Sequence, residues 1–332
     1  MVSAIGPSPC PGVLSRGVRV TSVTARAQAE QRVSPSGLGF AAASYTWWGL
    51  LPLWFVAALP MGPVELVAWR IVLSLGFCFL LLAVVRGWRP LARILRDGRS
   101  MALLAAGSVL ILINWLVYVF AALNQHVVEA SLGYFINPIV TVLLGVLVLH
   151  ERLRPLQWIS VGISVIAVLV LATGSGGFPW ISLGLAASFG SYGLIKKRVG
   201  GTVDAISGLT METAILTPFA IALLAFMAFT GVLVAGTASL PHTLLLSVAG
   251  VLTAVPLLLF AAAARRLPLT ILGLTQYIAP AVQFIIGVVV LQEHMAPARW
   301  IGFALVWVAL AVLTADMVGS PRRSRRALIE PT

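Results

Sequence analysis

The sequence predicts an all-α integral membrane protein with ten transmembrane helices in two inverted five-helix repeats. Two observations lead to this fold class: an apolar composition and an internal duplication. Hydrophobic residues make up 60% of the 332 residues and charged residues 10%, and the mean hydropathy is +1.02. Soluble domains are about half apolar and about a quarter charged, so the composition excludes an ordinary soluble protein.

Ten apolar stretches are long enough to cross a bilayer, which takes roughly 20 helical residues. The sequence shows no alternating pattern of barrel strands, and backbone groups in lipid must be satisfied within their own segment. Each stretch is therefore predicted to be a helix. The predicted spans, numbered 1 to 10, are 38–59, 64–85, 101–123, 127–149, 155–173, 178–195, 208–230, 240–262, 268–291 and 297–317.

The second half of the chain repeats the first at an offset of 142 residues, which carries Leu132 onto Leu274 and Glu151 onto Glu293. Nearer the start, an offset of 144 carries Ser44 onto Ser188. Because each repeat holds five spans, an odd number, the second repeat must enter the membrane from the opposite side. Inverted repeats can rock about a central site, and this arrangement is typical of secondary transporters.

The charge distribution predicts that both termini are cytoplasmic. With that orientation, all 22 Lys and Arg except Arg70 and Arg299 lie in cytoplasmic segments, as the positive-inside rule requires. Topology thus accounts for the net charge of +12 without a nucleic-acid partner. The predicted divisions are a disordered cytoplasmic tail 1–37, a first repeat 38–173, a second repeat 178–317 and a basic cytoplasmic tail 318–332.

Ionisable side chains inside the spans are functional candidates because inserting one into a bilayer costs about 2.5–3.5 kcal/mol. Arg70 lies about two turns into span 2, and Glu129 lies near the start of span 4, at the same predicted outer end. The two residues form either a structural ion pair or an outer gate that contacts substrate. Glu65 competes with Glu129 as the partner of Arg70.

Glu212 is the repeat mate of Arg70 and lies at the predicted inner end. Lys196 and Lys197 are close enough in sequence to neutralise it. Opposite charges at equivalent positions predict different chemistry at the two entrances. If protons drive transport, Glu129 and Glu212 are the carboxylates expected to carry them; facilitated diffusion is the alternative.

Amide and phenol side chains gather near the predicted middle of the bilayer. They are Asn114, Tyr118, Tyr134, Asn137, Gln276, Tyr277 and Gln283. Pro138 and Pro280 interrupt the two halves at matched positions, and Pro256 is the repeat mate of Asn114. Matched helix breaks point to a binding site between the repeats. The rings of Trp47, Trp48 and Trp115 are further candidate surfaces for a planar or cationic ligand.

The sequence contains no phosphate-binding Gly-x-x-x-x-Gly-Lys-Ser/Thr loop and no His-Glu-x-x-His motif. Neither ATP drive nor a zinc site of that kind is therefore expected. No Ser, His and Asp can be grouped at one depth. We expect no enzymatic activity, no catalytic residues, no metal and no cofactor.

The string from Glu129 to Pro138, together with Trp69-Arg70, Asn114-Trp115 and Val255-Pro256-Leu257, resembles the RarD subgroup of EamA-type proteins in the drug/metabolite transporter superfamily. The resemblance runs from about Phe40 to Asp316. It implies two inverted EamA repeats, a bacterial inner-membrane location, and a central cavity lined by spans 1, 3, 4, 6, 8 and 9. The substrate-binding side chains that this cavity would present are Trp48, Asn114, Tyr118, Tyr134, Asn137, Tyr192, Gln276 and Gln283.

The resemblance and the residues together predict a secondary transporter that exports small organic metabolites or drugs by alternating access. Its expected partners are a small-molecule substrate and membrane lipid. Two alternatives stay open at this point. One is a non-transporting membrane scaffold or sensor partner, and the other is a lipid flippase, whose cavity would open sideways to lipid.

Overall fold

The computed structural model describes residues 34–149, 153, 155–174, 178–199, 202–236, 239–264, 266–267 and 275–327. Within these ranges every regular element is helical. The helices are α1 (Pro35–Ala57), α2 (Pro63–Val85), α3 (Trp88–Arg96), α4 (Gly98–Leu123), α5 (Val127–Leu149), α6 (Pro155–Gly174), α7 (Trp180–Val199), α8 (Ala205–Phe229), α9 (Leu240–Ser247), α10 (Ala249–Ala264), α11 (Ile278–Ile285) and α12 (Pro297–Ala327), and a π-helical turn, Ile286–Val290, follows α11.

Six helical segments of the described chain are both long and apolar enough to cross a membrane. They are Pro63–Val85, Gly98–Leu123, Pro155–Thr173, Ile206–Phe229, Leu240–Phe260 and Pro297–Asp316. Val127–Thr141 and Ile278–Val290 are shorter apolar helices. The prediction of an all-α, multi-pass membrane protein is confirmed at this level, whereas the count of ten spans stays a prediction.

The first and last helices extend into the segments predicted as tails. Helix α1 begins at Pro35 because Ser34 Oγ accepts the Gly37 N–H at 3.3 Å and proline is already shaped for a first helical turn. At the other end α12 continues to Ala327, beyond the predicted boundary at 317. Residues 1–33 and 328–332 of the predicted tails lie outside the described residues.

The helix interruptions differ from one predicted span to the next. Span 8 is broken at Val248 into α9 and α10, although its sequence is continuously apolar. Pro138 and Pro256 lie inside α5 and α10. Pro280 lies in the first turn of α11, where a missing N–H costs nothing because that donor has no helical acceptor.

Helix packing in one half of the chain corresponds to packing in the other. Helix α7 packs on α4 and α5, and α1 packs on α10 and α11. The repeat offsets carry α1 onto α7, α4 onto α10 and α5 onto α11, so the two sets of contacts are equivalent. Helices α2 and α8 are repeat mates that pack on each other, as are α6 and α12.

A polar contact recurs with this packing. Asn114 Nδ2 of α4 donates a hydrogen bond to Ser188 Oγ of α7 at 3.2 Å. At the equivalent interface, Ser44 Oγ of α1 donates to the Pro256 carbonyl of α10 at 2.7 Å. Ser44 and Ser188 are repeat mates, and so are Asn114 and Pro256. The duplication seen in the sequence thus corresponds to a repeated contact in three dimensions.

Replacing Gly133 with alanine is expected to destabilise the protein by about 1–3 kcal/mol because it overpacks the α5–α7 crossing. A Cβ there would lie 2.6 Å from the Ser182 carbonyl oxygen, a backbone atom that cannot easily yield. Gly184→Ala in α7 is the matched control, since its Cβ would meet nothing within 4 Å. That variant should gain up to about 1 kcal/mol from helix propensity. Thermal melts in detergent measure both variants. Melting temperatures that change in the same direction for Gly133→Ala and Gly184→Ala would contradict this account.

Candidate functional site

Aromatic and polar side chains form a continuous row through the interior of the bundle, and we call it the polar–aromatic row. It connects the two repeat mates Arg70 and Glu212, which carry opposite charges. Its members, in spatial order, are Arg70, Phe55, Trp115, Tyr118, Tyr134, Asn114, Phe189, Tyr192, Glu212 and Lys196. They come from α1, α2, α4, α5, α7 and α8, hence from both repeats.

Arg70 occupies one end of the row and is 6% exposed. Its Nε donates to Thr253 Oγ1 at 3.0 Å, and its guanidinium lies 4.4 Å from the Trp115 ring centroid and 5.7 Å from that of Phe55. Its Nη1 is buried without a hydrogen-bond partner. The face of Trp115 that was a candidate surface for a cationic ligand is therefore covered by a cation of the protein itself.

Asn114 anchors the middle of the row. Tyr134 Oη donates to Asn114 Oδ1 at 3.0 Å, while Asn114 Nδ2 donates to the Leu185 carbonyl at 3.3 Å and to Ser188 Oγ at 3.2 Å. Both ends of the amide are thus engaged, which fixes its orientation. The Tyr118 ring meets that of Tyr134 edge to face at 5.5 Å, and its buried hydroxyl has no hydrogen-bond partner.

Glu212 and Lys196 form the other end of the row. Phe189 links it to the middle, with ring centroids 5.9 Å from Tyr134 and 6.1 Å from Tyr192. Tyr192 Oη donates to Glu212 Oε2 at 3.0 Å, and Lys196 Nζ lies 2.7 Å from Glu212 Oε1. The prediction that Lys196 neutralises Glu212 is confirmed.

The remaining predicted substrate-binding residues are not members of the row, although Trp48 packs against the cluster that contains Phe55, Trp115 and Tyr118. Gln283 Nε2 donates to the Trp48 carbonyl at 3.5 Å, and Gln283 Oε1 is buried without a hydrogen-bond partner. Asn137 Oδ1 is likewise buried and unpartnered, and it would lie 3.3 Å from a Cβ at Gly190. Gln276 precedes α11 and is half-buried. Gln283 and Trp48 thus lie on the contact of α1 with α11, and Asn137 lies on that of α5 with α7.

Glu129 does not pair with Arg70, so the predicted ion pair is wrong for this conformation. In the first turn of α5 its carboxylate faces His126, with Oε2 3.6 Å from His126 Nδ1. It lines a separate cavity of about 270 Å³ together with Trp180 and Arg299. Arg70 turns instead towards Thr253 of α10. The two residues have similar predicted depths but lie on helix faces that point to different neighbours.

Glu65, the competing partner, is also engaged elsewhere. Its Oε1 accepts the N–H groups of Val234 and Ala235 at 3.1 and 2.8 Å, and its Oε2 accepts the Val234 N–H at 3.1 Å. It therefore fixes the segment after α8. In the described part of the chain, no carboxylate forms an ion pair with Arg70. The Lys197 side chain, the second predicted partner of Glu212, lies outside the described part.

Glu293 has a role that the sequence did not indicate. Its Oε1 and Oε2 accept the backbone N–H groups of Val127 at 2.6 Å and Val128 at 2.9 Å, which are free donors at the start of α5. Gly287 in the π-helical turn permits the close approach, since a Cβ there would lie 2.6 Å from Val128 Cγ2. We call this contact the Glu293 latch. It joins the second repeat to the start of α5 in the first.

The row offers hydrogen-bond donors, acceptors and ring faces to a ligand. Across the described ranges, no three His, Cys, Asp or Glu side chains converge on a possible metal site. The Glu212 carboxylate is held by the Tyr192 phenol and the Lys196 ammonium group. The arrangement is suited to binding a molecule within the bundle.

Comparison with known proteins places these features in one family. A model of the EamA-like transporter family matches residues 35–173. A RarD protein of Streptomyces exfoliatus is 46% identical over 303 residues, which cover 91% of this chain and 95% of the relative. RarD of Escherichia coli (strain K12) is 38% identical over 290 residues, which cover 87% and 97%. A chloramphenicol-sensitive protein RarD of Pseudomonas aeruginosa is 29% identical, covering 89% and 99%.

A solved crystal structure shares the fold. It superposes with a TM-score of 0.52 at 20% sequence identity, over 84% of this chain and 96% of the other.

Proposed function

Because the chain belongs to the RarD subgroup of the EamA-like transporter family, we propose that it is a secondary transporter that exports small organic metabolites or drugs by alternating access. It is a multi-pass bacterial membrane protein, and we place it in the inner membrane with both termini in the cytoplasm. The observation that carries the proposal is the polar–aromatic row. It places two buried charges, Arg70 and Glu212, and several hydrogen-bonding groups inside the helices of a largely apolar bundle.

The row supports a substrate site because intramembrane polar groups are costly unless they serve a ligand, a pathway or each other. Asn114 is held in place from both sides, so it presents a preorganised centre. Tyr118 in the row, and Asn137 and Gln283 outside it, each retain a buried polar atom without a hydrogen-bond partner, and these atoms are available to a substrate. In the proposal, Trp48, Tyr134, Tyr192 and Gln276 complete the set, and helix bending at Pro138, Pro256 and Pro280 changes its access.

Alternating access is supported by the matched packing of the two halves and by the Glu293 latch. The latch closes the start of α5 against the second repeat at the predicted outer end. Glu151 is the repeat mate of Glu293, and its equivalent partners would be the backbone N–H groups of 269 and 270; all three residues lie outside the described chain. We propose that the two latches alternate, the Glu293 latch closing the outer side and the Glu151 latch the inner side.

Three charged residues are assigned gating or coupling roles in this proposal. Arg70 serves the predicted outer side of the row and Glu212 the inner side. Glu129 lines its own cavity near the predicted outer surface. If a proton gradient drives the cycle, Glu129 and Glu212 carry the protons; otherwise transport is facilitated diffusion.

The proposal is tested by flux in proteoliposomes with a labelled panel of amino acids and amphenicols, with and without a proton gradient. Wild type should show saturable flux, and Asn137→Ala should fold normally but lose most of it. A scaffold or sensor would remain folded and show no saturable flux for any compound. A flippase would instead move labelled lipid.

Tyr134→Phe should lower transport efficiency roughly fivefold, because the loss of about 1 kcal/mol of hydrogen bonding frees the Asn114 amide within the site. Tyr277→Phe is the matched control, since that ring stacks on Phe135 outside the row. The control should transport within about twofold of wild type, the scale of a surface change. Equal effects of the two substitutions would argue against the row as the substrate site.

A further inference from the structure

Arg70 is a buried cation without a counter-ion among the residues that the structure describes. Its environment consists of Thr253 and of the Trp115 and Phe55 rings. Rings attract a guanidinium, but they neither neutralise its charge nor accept all of its N–H groups. A buried charge that is left in this state is costly. The surroundings of Arg70 therefore favour an anionic ligand.

The repeat shows why the protein does not supply that anion. Glu212, the mate of Arg70, has its counter-ion in Lys196 of α7. The offset of 144 carries Pro52 of α1 onto Lys196, so a neutral proline stands where a carboxylate would complete the equivalent pair. The two candidate carboxylates near the same end, Glu65 and Glu129, are directed elsewhere.

A second donor without a partner belongs to Tyr118, whose ring contacts the same phenylalanine as the Arg70 guanidinium. The Tyr118 hydroxyl is buried without a hydrogen-bond partner, and Tyr118 is 4% exposed. Its ring contacts Phe55 at 5.5 Å, the same ring that lies under the guanidinium. A guanidinium N–H and a phenol O–H on two side chains that share the Phe55 contact are donors that a carboxylate accepts well.

We infer that Arg70 and Tyr118 bind the carboxylate of the transported molecule, and that the substrates are small carboxylates or zwitterions with an apolar or aromatic body. The inference rests on the proposed transport function and names its substrate class. Phe55 and Trp115 border the site and would contact the body of the substrate. Cations are disfavoured because Arg70 repels them.

Three compounds of nearly equal shape separate charge from size: benzoate, benzamide and benzylamine. Each is titrated into purified wild-type protein at constant ionic strength, and binding is measured by thermal shift and calorimetry. Benzoate should bind, whereas benzamide and benzylamine should bind at least about tenfold more weakly, the difference expected of a charge-assisted contact.

Variants locate the site. Arg70→Gln should weaken benzoate binding at least about tenfold, and Tyr118→Phe about fivefold, since each removes one donor. Arg70→Lys keeps the charge and should retain part of the affinity, which keeps the test valid if Arg70→Gln folds poorly. Arg99→Gln alters an exposed arginine and is the matched control, expected to bind as wild type does.

Three results would overturn the inference. Benzamide or benzylamine could bind as tightly as benzoate, or wild type could fail to bind benzoate. Benzoate binding could also be unchanged in folded Tyr118→Phe and in whichever Arg70 variant folds, Arg70→Gln or Arg70→Lys. Flux of the same compounds in proteoliposomes separates it from the proposed function. If benzamide or benzylamine shows saturable flux that is unchanged by Arg70→Gln, the protein is a transporter but Arg70 is not its anion site. Selective benzoate binding without any saturable flux supports the anion site and counts against transport.

Discussion

Replacing Glu293 with alanine is expected to lower the free energy of unfolding by about 3 kcal/mol, because two charge-assisted hydrogen bonds at the start of α5 are lost together. The Val127 and Val128 N–H groups would be left buried without acceptors. Glu293→Gln keeps one acceptor and should lose roughly half as much. Thermal and denaturant melts in detergent measure both, with exposed His294→Ala as a control that stays within about 0.5 kcal/mol of wild type.

The Glu293 latch also makes a conformational prediction. If it closes the predicted outer end, its loss shifts the population towards a state open on that side. In a variant whose native cysteines are replaced, a cysteine introduced at Asn137 should react faster with a membrane-impermeant thiol reagent added outside when Glu293→Ala is present. Unchanged labelling combined with lower stability would reduce Glu293 to a helix cap without a gating role.

Replacing Lys196 with methionine is expected to cost about 3 kcal/mol, because it leaves the Glu212 carboxylate buried without its counter-ion. The reverse change, Glu212→Gln, should cost only about 1 kcal/mol, since a lysine that keeps contact with water can be resolvated. The difference arises from exposure, because the Lys196 side chain is 32% exposed and that of Glu212 is 2%. Melts of the two single variants measure it.

The double variant Lys196→Met/Glu212→Gln should recover most of the loss caused by Lys196→Met, because it removes the unpaired charge. A double-mutant cycle expresses this recovery as a coupling energy of about 1–3 kcal/mol. Additive effects, or equal costs of the two single changes, would mean that the buried pair is not energetically coupled.

The contact that the sequence predicted correctly joins two residues on consecutive helices, where the short connection limits how far apart they can lie. Lys196 in the last turn of α7 lies close along the chain to Glu212 near the start of α8, so their pairing could be anticipated. The Arg70–Glu129 pair failed because sequence estimates depth along a helix better than rotation about it. The helix face that Arg70 presents is determined by the packing of α2 on α10, and no local pattern encodes that packing.

Contacts between distant segments were beyond single-sequence reasoning. Glu293 caps α5 from 166 residues away, and Thr253 meets Arg70 from 183 residues away. The repeat offers a partial remedy, because a contact found in one half can be carried to the other. The Asn114–Ser188 bond leads in this way to the Ser44–Pro256 bond. The same step underlies the proposal that Glu151 forms a second latch.

The central claim is that one site inside the bundle is exposed alternately to the two sides of the membrane. Counterflow in proteoliposomes tests it most directly: vesicles are loaded with an unlabelled transported compound, and uptake of the same compound in labelled form is followed. A carrier of this kind should accumulate label transiently above its external concentration, and Asn137→Ala should abolish the overshoot in folded protein. Saturable wild-type uptake without any overshoot, unaffected by the unlabelled load, would contradict alternating access.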